Sequence, residues 1–221
     1  MKRTLLKTDD GSFTLHIPEW NEQYHSKHGA IAEAVHVFIK EGLYHWLSEN
    51  TISKISILEI GFGTGLNALL TYLEAEKHSW NIDYTGVEAY PLGEEEYRKM
   101  NYSEMLETSD EVFLKLHNAT WEEKATISNN FQLLKQQRFF SDISAENNFD
   151  LIYFDAFGIR VQPELWTEEI FAIMYGALKP KGILVTYAAN GSARRAMQAV
   201  GFTVERLPGP PGKREMLRGT K

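Results

Sequence analysis

The chain has no cysteine among its 221 residues, which excludes disulfides, thiolate nucleophiles and cysteine–zinc sites. It also lacks any apolar run of about 18 residues that would span a membrane. Met1-Lys2-Arg3-Thr4-Leu5-Leu6-Lys7 has no apolar stretch of the kind a secretion signal needs. No membrane contact and a cytoplasmic location are therefore expected. His16, His25, His28, His36, His45, His78 and His117 show no ligand spacing with acids, so no metal is expected. Positive charge is scarce too: 23 Lys and Arg stand against 30 Asp and Glu, a net charge of −7 that disfavours a general nucleic-acid binder. The basic charge present is concentrated. Residues 179–221 hold nine of those bases and only two of the acids, so this segment stands at +7 and the preceding residues at −14. Such a split predicts a localised polyanion-binding face on an acidic body.

What is there centres on Ile55–Gly65, Ile-Ser-Ile-Leu-Glu-Ile-Gly-Phe-Gly-Thr-Gly. Ile55, Ile57, Leu58 and Ile60 read as a parallel strand buried on both faces. Gly61, Gly63 and Gly65 follow, and the next eight residues have helical composition with an apolar stripe. Strand, glycine turn and helix N-terminus form a nucleotide-sized landing site with free N–H groups. The spacing is G-x-G-x-G, whereas dinucleotide sites use G-x-G-x-x-G. Glu59, two residues before the first glycine, would repel a diphosphate but hold a cationic ligand with an amino-acid tail. S-adenosylmethionine (SAM), with its sulfonium and α-ammonium, has that chemistry. Glu88, 23 residues beyond Gly65 at the tip of the expected second strand Ile82–Glu88, suits both hydroxyls of a ribose.

The length suits one domain, or one with a small appendage. Residues 1–50 read as an N-terminal appendage able to cover the pocket, and 51–221 as the main domain. In the appendage, strands at Thr4–Leu6 and Phe13–Ile17 flank the turn Asp9-Asp10-Gly11, and a helix from Ala30 is interrupted at Gly42. Beyond the second strand a helix passes through Tyr97, Met100 and Leu106. The third strand is either Val112–Leu116 or Phe131–Gln136; Asn129-Asn130 marks a boundary that favours the latter. Phe149–Asp155 is the fourth strand. Thr167 caps a helix that Lys179-Pro180-Lys181-Gly182 stops, and Ile183–Tyr187 is the fifth strand. A helix at Ser192–Val200 and strands at Phe202–Arg206 and Glu215–Arg218 complete the order. The expected fold is α/β: a Rossmann-like, doubly wound, mostly parallel sheet with an antiparallel last strand and an N-terminal hairpin and helix.

Several blocks together carry a family resemblance. They are Glu59–Asn67, Gly86–Leu92, Asp155-Ala156-Phe157 continuing to Pro163-Glu164-Leu165-Trp166, Leu184–Gly191 with Arg194-Arg195, and Gly212-Lys213-Arg214-Glu215-Met216-Leu217. Tyr24-His25-Ser26 and His28-Gly29-Ala30 add an N-terminal signature. The chain resembles the methyltransferase domain of the MnmC family, which makes 5-methylaminomethyl-2-thiouridine at the tRNA wobble position. The resemblance implies a SAM-dependent methyltransferase acting on a 5-aminomethyl group, with tRNA bound through its anticodon arm. It implies cofactor contacts from Tyr24, Ser26, Glu59, Gly61, Gly63, Gly65, Asn67, Glu88 and Asp155. Asp155, at the carboxyl end of the fourth strand, has the type and place to accept a proton from the amine or stabilise the ammonium. Phe157 and Tyr187 suit stacking on the wobble base, and Arg194, Arg195, Lys213 and Arg214 suit RNA phosphates. Two departures stand out. Many family members carry a fused flavin-dependent oxidase, whereas this chain has no second nucleotide fingerprint, so it is expected to supply only methylation while a separate enzyme supplies the aminomethyl precursor. The acid that reads adenine after the third strand is replaced, in this register, by Gln137.

Overall fold

The computed structural model describes residues 2–50 and 54–221. The expected boundary between appendage and main domain falls against positions 51–53, which lie outside the described residues. In chain order, β1 (Thr4–Lys7) and β2 (Phe13–Ile17) pair antiparallel, and the short β3 (Glu22–Gln23) lies on the other edge of β2. Asp10 fixes their turn. Its carboxylate accepts from the Thr8 hydroxyl, the Ser12 N–H and, across to the next helix, the Ala32 N–H.

That helix has three consecutive pieces: α1 (Ala30–Ala34), a π-helical stretch Val35–Tyr44, and α2 (His45–Glu49). The expected interruption at Gly42 does not occur. The wider winding carries the chain through it, and Gly42 serves close approach instead. A Cβ there would lie 3.0 Å from Val185 Cγ2 and 3.3 Å from Tyr153 Cε1, on the sheet the helix covers.

The main sheet starts with β4 (Lys54–Ile60), followed by α3 (Leu66–His78) and β5 (Asn81–Val87). The single helix expected through Leu106 is instead α4 (Glu94–Tyr97) and α5 (Tyr102–Met105). Between them Asn101 turns its amide back onto the hairpin, accepting from Phe13 N–H and donating to the Gly11 carbonyl. Next come α6 (Asp110–Asn118), which takes up Val112–Leu116, then β6 (Lys124–Thr126), β7 (Phe131–Gln136) and β8 (Phe149–Phe154). Helix α7 (Glu168–Ala177) begins where Thr167 accepts from the Ile170 N–H. It is followed by β9 (Leu178–Thr186), α8 (Gly191–Ala199), β10 (Thr203–Pro208) and β11 (Glu215–Thr220). Residues 179–182 end the helix as expected, but they lie inside β9. Its pairing with β8 jumps from Phe149 opposite Leu178 to Leu151 opposite Ile183, with Lys181 at a φ of 66° in the bulge.

The sheet order is β10-β11-β9-β8-β4-β5-β7-β6. Strands β9, β8, β4, β5 and β7 run parallel, and β11 enters antiparallel to both β9 and β10. Both faces are covered. The helix from Ala30 to Glu49, α3 and α6 pack on one, around Ile57, Tyr84 and Tyr153, while α7 and α8 pack on the other, around Ile60, Phe154 and Phe171. Each such fully buried side chain contributes roughly 1.5–3 kcal/mol of apolar burial. Strand order reverses between β4 and β8, which opens a crevice at their carboxyl ends.

Candidate active site

The turn after β4 lies over that crevice. Gly61 has a φ of 90° and Gly63 of 47°, left-handed values that favour residues without a Cβ. A Cβ at Gly61 would sit 2.7 Å from the Asp155 carbonyl, so only glycine lets the turn cross the end of β8. The N–H groups of Gly61 and Phe62 both donate to the Val87 carbonyl, and Asp155 N–H donates to that of Ile60. The tips of β4, β5 and β8 are thereby laced together.

A cavity of about 450 Å³ lies above these tips, within the size range of small-ligand sites. Gly61, Gly63 and Asn67 line it from the turn and α3, Glu88 from the end of β5, and Asp155, Phe157 and Tyr187 from the ends of β8 and β9. Tyr24 closes it from the N-terminal segment. Eight of the residues singled out from the sequence are thus brought to one cavity. Gly65 caps α3 behind the turn, against His117. Ser26 lies off the cavity, where its hydroxyl accepts from His28 N–H and its own N–H donates to Glu33.

Glu88 anchors the turn from below. One carboxylate oxygen accepts from Gly63 N–H at 3.1 Å and the other from Tyr90 N–H at 2.9 Å. Asp155 accepts from the Asn67 side-chain amide at 2.9 Å. Loss of solvent and the nearby Glu33 carboxylate push its pKa up to about 7, against weaker lowering by Asn67 and Lys213. Glu59 does not line the cavity. It is buried beneath it, where desolvation and Asp155 raise its carboxyl well above the usual range against weaker lowering by the neighbouring Tyr84 and Asn67, and neither oxygen reaches a donor at full hydrogen-bond geometry. The Asn67 carbonyl oxygen lacks one as well. Buried acceptors left unpaired beside a cavity suit a ligand that carries positive charge and N–H donors. Gly63 adds a cradle that a side chain would fill. The site therefore fits SAM.

Other walls were not legible beforehand. Arg3, just before β1, reaches both oxygens of Glu96 and the Tyr90 carbonyl, with its guanidinium 5.9 Å from the centre of the Tyr24 ring. Nothing in the sequence around Arg3 marks that role. Trp20 and Tyr24 meet Phe157 edge-on, with ring centres at 5.6 and 4.9 Å. Gln137 lies away from the cavity, its N–H donating to Glu122; Phe139, Phe140 and Ser141 line it instead. Phe139 pairs edge-on with Tyr90 at the mouth, and both rings are more than half exposed.

The basic segment divides into paired and unpaired cations. Lys179 pairs with Asp150, Arg206 with Glu215, Arg218 with Glu205, and Lys213 with Glu33. Lys221 donates to Asn147 and the Leu178 carbonyl. Lys181, Arg195 and Arg214 are exposed, Arg194 is half-buried, and none of the four has an ion-pair partner among the described residues. No described helix is long and apolar enough to cross a membrane.

A family model described as S-adenosyl-L-methionine-dependent methyltransferase matches residues 101–221. The tRNA 5-methylaminomethyl-2-thiouridine biosynthesis bifunctional protein MnmC of Leptospira interrogans is 31% identical over 217 residues, covering 91% of this chain and 33% of that protein. Its namesake in Burkholderia multivorans is 27% identical over 230 residues, covering 98% of this chain and 34% of that protein. The chain thus spans about a third of the length of these curated relatives. Among solved structures, MNMC2 from Aquifex aeolicus superposes with a TM-score of 0.78 at 24% identity, covering 99% of this chain and 70% of that one. Spermidine synthase from Thermotoga maritima superposes with a TM-score of 0.57 at 15% identity, covering 100% and 72%. At such identities the structural likenesses establish the fold.

Proposed function

Because the chain belongs to the S-adenosyl-L-methionine-dependent methyltransferase family, whose model spans more than half of it, we propose that it methylates the primary amine of 5-aminomethyl(-2-thio)uridine at the tRNA wobble position. The observation that carries this reading is Asp155, a carboxyl group with its pKa near 7 on the wall of the cofactor cavity. The printed names of the curated relatives supply the substrate class.

When bound, SAM supplies an electrophilic methyl group on a sulfonium. The chain's residues do the rest. Glu88 is placed for the ribose hydroxyls, while Asn67 and the Gly63 cradle are placed for the amino-acid tail. Phe157, held edge-on by Trp20 and Tyr24, and Tyr187, whose hydroxyl donates to the Ala156 carbonyl at 2.8 Å, form rigid aromatic walls for a flipped base. The wobble nucleotide sits in a single-stranded loop and is splayed out without breaking a duplex. With the amine presented to that methyl group, Asp155 would take one N–H proton as the amine is methylated. A carboxyl group with its midpoint near 7 is a stronger base than an ordinary carboxylate. Only its ionised form accepts the proton, so transfer rises with pH through the Asp155 midpoint. On this reading the protein works in the cytoplasm, where its tRNA substrate is.

The test is to incubate the protein with SAM and tRNA bearing the aminomethyl nucleoside and to analyse the nucleosides by mass spectrometry. A product heavier by one methyl group supports the reading. Equal efficiency on the free nucleoside would instead favour a small-molecule N-methyltransferase.

Two further results are expected. Glu88→Ala weakens SAM binding by about 1–3 kcal/mol, the range for a lost hydrogen bond to a charged group; an unchanged dissociation constant by calorimetry would remove Glu88 from the site. Replacing Arg194, Arg195 and Arg214 together by alanine raises KM for tRNA and leaves SAM affinity unchanged. It also flattens the slope of log affinity against log salt by roughly 0.7–0.9 per lost phosphate contact. A wild-type slope would place the RNA face elsewhere.

A further inference from the structure

The sequence marks Lys213 as a phosphate contact, yet the fold turns it inward. It lies in the loop between β10 and β11, where Gly209 N–H donates to the Arg214 carbonyl and Lys213 N–H to that of Pro210. This loop is pressed against the N-terminal segment. A Cβ at Gly212 would collide with the His28 ring at 2.1 Å, and His36 bonds the Pro208 carbonyl through Nε2. From there the Lys213 ammonium reaches Glu33 of α1, which is 5% exposed and whose second oxygen accepts from Ser26 N–H at 2.7 Å. The same ammonium stands 3.7 Å from the centre of the Tyr187 ring. The Tyr187 hydroxyl in turn is fixed on the carbonyl of Ala156, the residue after Asp155. Tyr187 and Asp155 line the cavity, but Glu33 and Lys213 do not, so neither touches a ligand there.

We infer that Glu33 and Lys213 are positioning residues: an ion pair behind the cavity wall that clamps the Tyr187 ring through a cation–π contact and holds it beside Asp155. The inference rests on the methyl-transfer reading of Asp155. A buried carboxylate needs a partner charge, and Lys213 supplies it to Glu33. The cation on the ring face fixes the plane of Tyr187 more firmly than dispersion alone. This pair also sets the charge that Asp155 feels, since Glu33 raises its pKa and Lys213 lowers it. The other titratable groups around this wall are Glu59 from β4, Tyr84 from β5, Glu88 just beyond it, Tyr102 from α5, Glu22 from β3, and Arg3, Tyr24 and His25 from the N-terminal segment. Burial holds Tyr84, Tyr102 and Tyr187 neutral by raising them, and holds His25 neutral by lowering it to about 4. Glu33 and Lys213 are thus the oppositely charged pair that acts on Asp155 from behind the wall.

The signs give the test. Lys213→Met leaves the Glu33 anion uncompensated and moves the Asp155 midpoint upward. Glu33→Gln keeps an acceptor for Ser26, leaves the cation, and moves it downward. Shifts of roughly half a pH unit or more are expected, and the double variant falls between the two. Lys213→Arg, which retains charge and stacking, restores the wild-type midpoint. Two readouts follow the same variants. One is carbon NMR of protein labelled at the aspartate carboxyl carbons, with the Asp155 signal identified by its loss in Asp155→Asn. The other is the pH profile of kcat at saturating tRNA. Lys213→Met is further expected to lower kcat at pH 7 while KM for tRNA and its salt slope stay unchanged. Equal midpoints in all variants, or a raised KM with a flattened salt slope after Lys213→Met, would overturn the clamp and return Lys213 to the RNA face. If no variant and no wild type methylates tRNA while the opposite NMR shifts persist, the pair stands and the proposed substrate fails.

Discussion

Gly63→Val is expected to abolish SAM binding in a protein that still folds. Gly63 has a φ of 47°, where a β-branched residue is a steric outlier costing about 1–2 kcal/mol or more. Its first added carbon would stand 3.2 Å from Cδ1 of Tyr24, inside ordinary contact distance, and the two methyl groups beyond it would extend into the cavity. The backbone cannot simply retreat, because Gly63 N–H is held by Glu88 and its neighbours Gly61 and Phe62 are bonded to Val87. Calorimetry with SAM reads the loss, and circular dichroism shows whether the fold survives. Gly63→Ala supplies a graded control, with the same strained φ but a single carbon, and should bind weakly. A folded Gly63→Val protein with wild-type affinity would mean that the cofactor lies elsewhere.

Asp155→Asn is expected to keep the fold and much of the SAM affinity while losing most methyl transfer. The amide preserves size, and its oxygen still accepts from Asn67, but it neither takes a proton nor balances a nascent ammonium. The effect belongs in kcat at saturating tRNA, and near-normal turnover there would count against the role. Stability moves the opposite way. The carboxyl group has a pKa of about 7 in the folded chain against 3.8 for the free group, so the folded state holds its proton longer. Between about pH 4 and 7 the unfolded chain binds fewer protons, and the wild type loses stability as pH rises through this window. The asparagine variant lacks that term, so urea midpoints of the two proteins should diverge towards pH 7 in favour of the variant. Diverging activity and stability would mark a group retained for chemistry at some structural cost.

Local rules made much of this legible. A fully buried strand, a glycine turn and a helix are continuous in sequence, so β4, its turn and α3 follow from composition alone. Glu88 and Asp155 stand at strand tips, where chain order fixes their place once the sheet is doubly wound. The choice of Phe131–Gln136 as third strand succeeded because Phe131, Leu133 and Lys135 face inward alternately, as a strand requires. The misses are long-range. Arg3 meets Glu96 across 93 positions and Lys213 meets Glu33 across 180, and no periodicity reports such pairs. Counting charge gave the sign of the basic segment but not which cations were already paired. Gly42 misled for a related reason, since a helix-breaking residue and one needed for close approach to a sheet look alike until the sheet is present. The bulge at Lys181 was hidden because Pro180 and Gly182 signal a stop equally well inside a strand's irregular start.

The placement of β11 has a consequence for how the protein is made. It follows β9 and β10 in sequence yet lies between them in the sheet. Until residues 215–220 emerge from the ribosome, Ile183–Thr186 has no neighbour on that side. The nascent chain then carries an unpaired apolar strand edge, the kind of surface that recruits other strands. A chain released near position 210 would present that edge with neither β11 nor Lys213, leaving Glu33 without its cation. Such a chain is a natural client for a chaperone, and shortened versions ending before Glu215 are expected to aggregate rather than to accumulate as inactive but soluble protein.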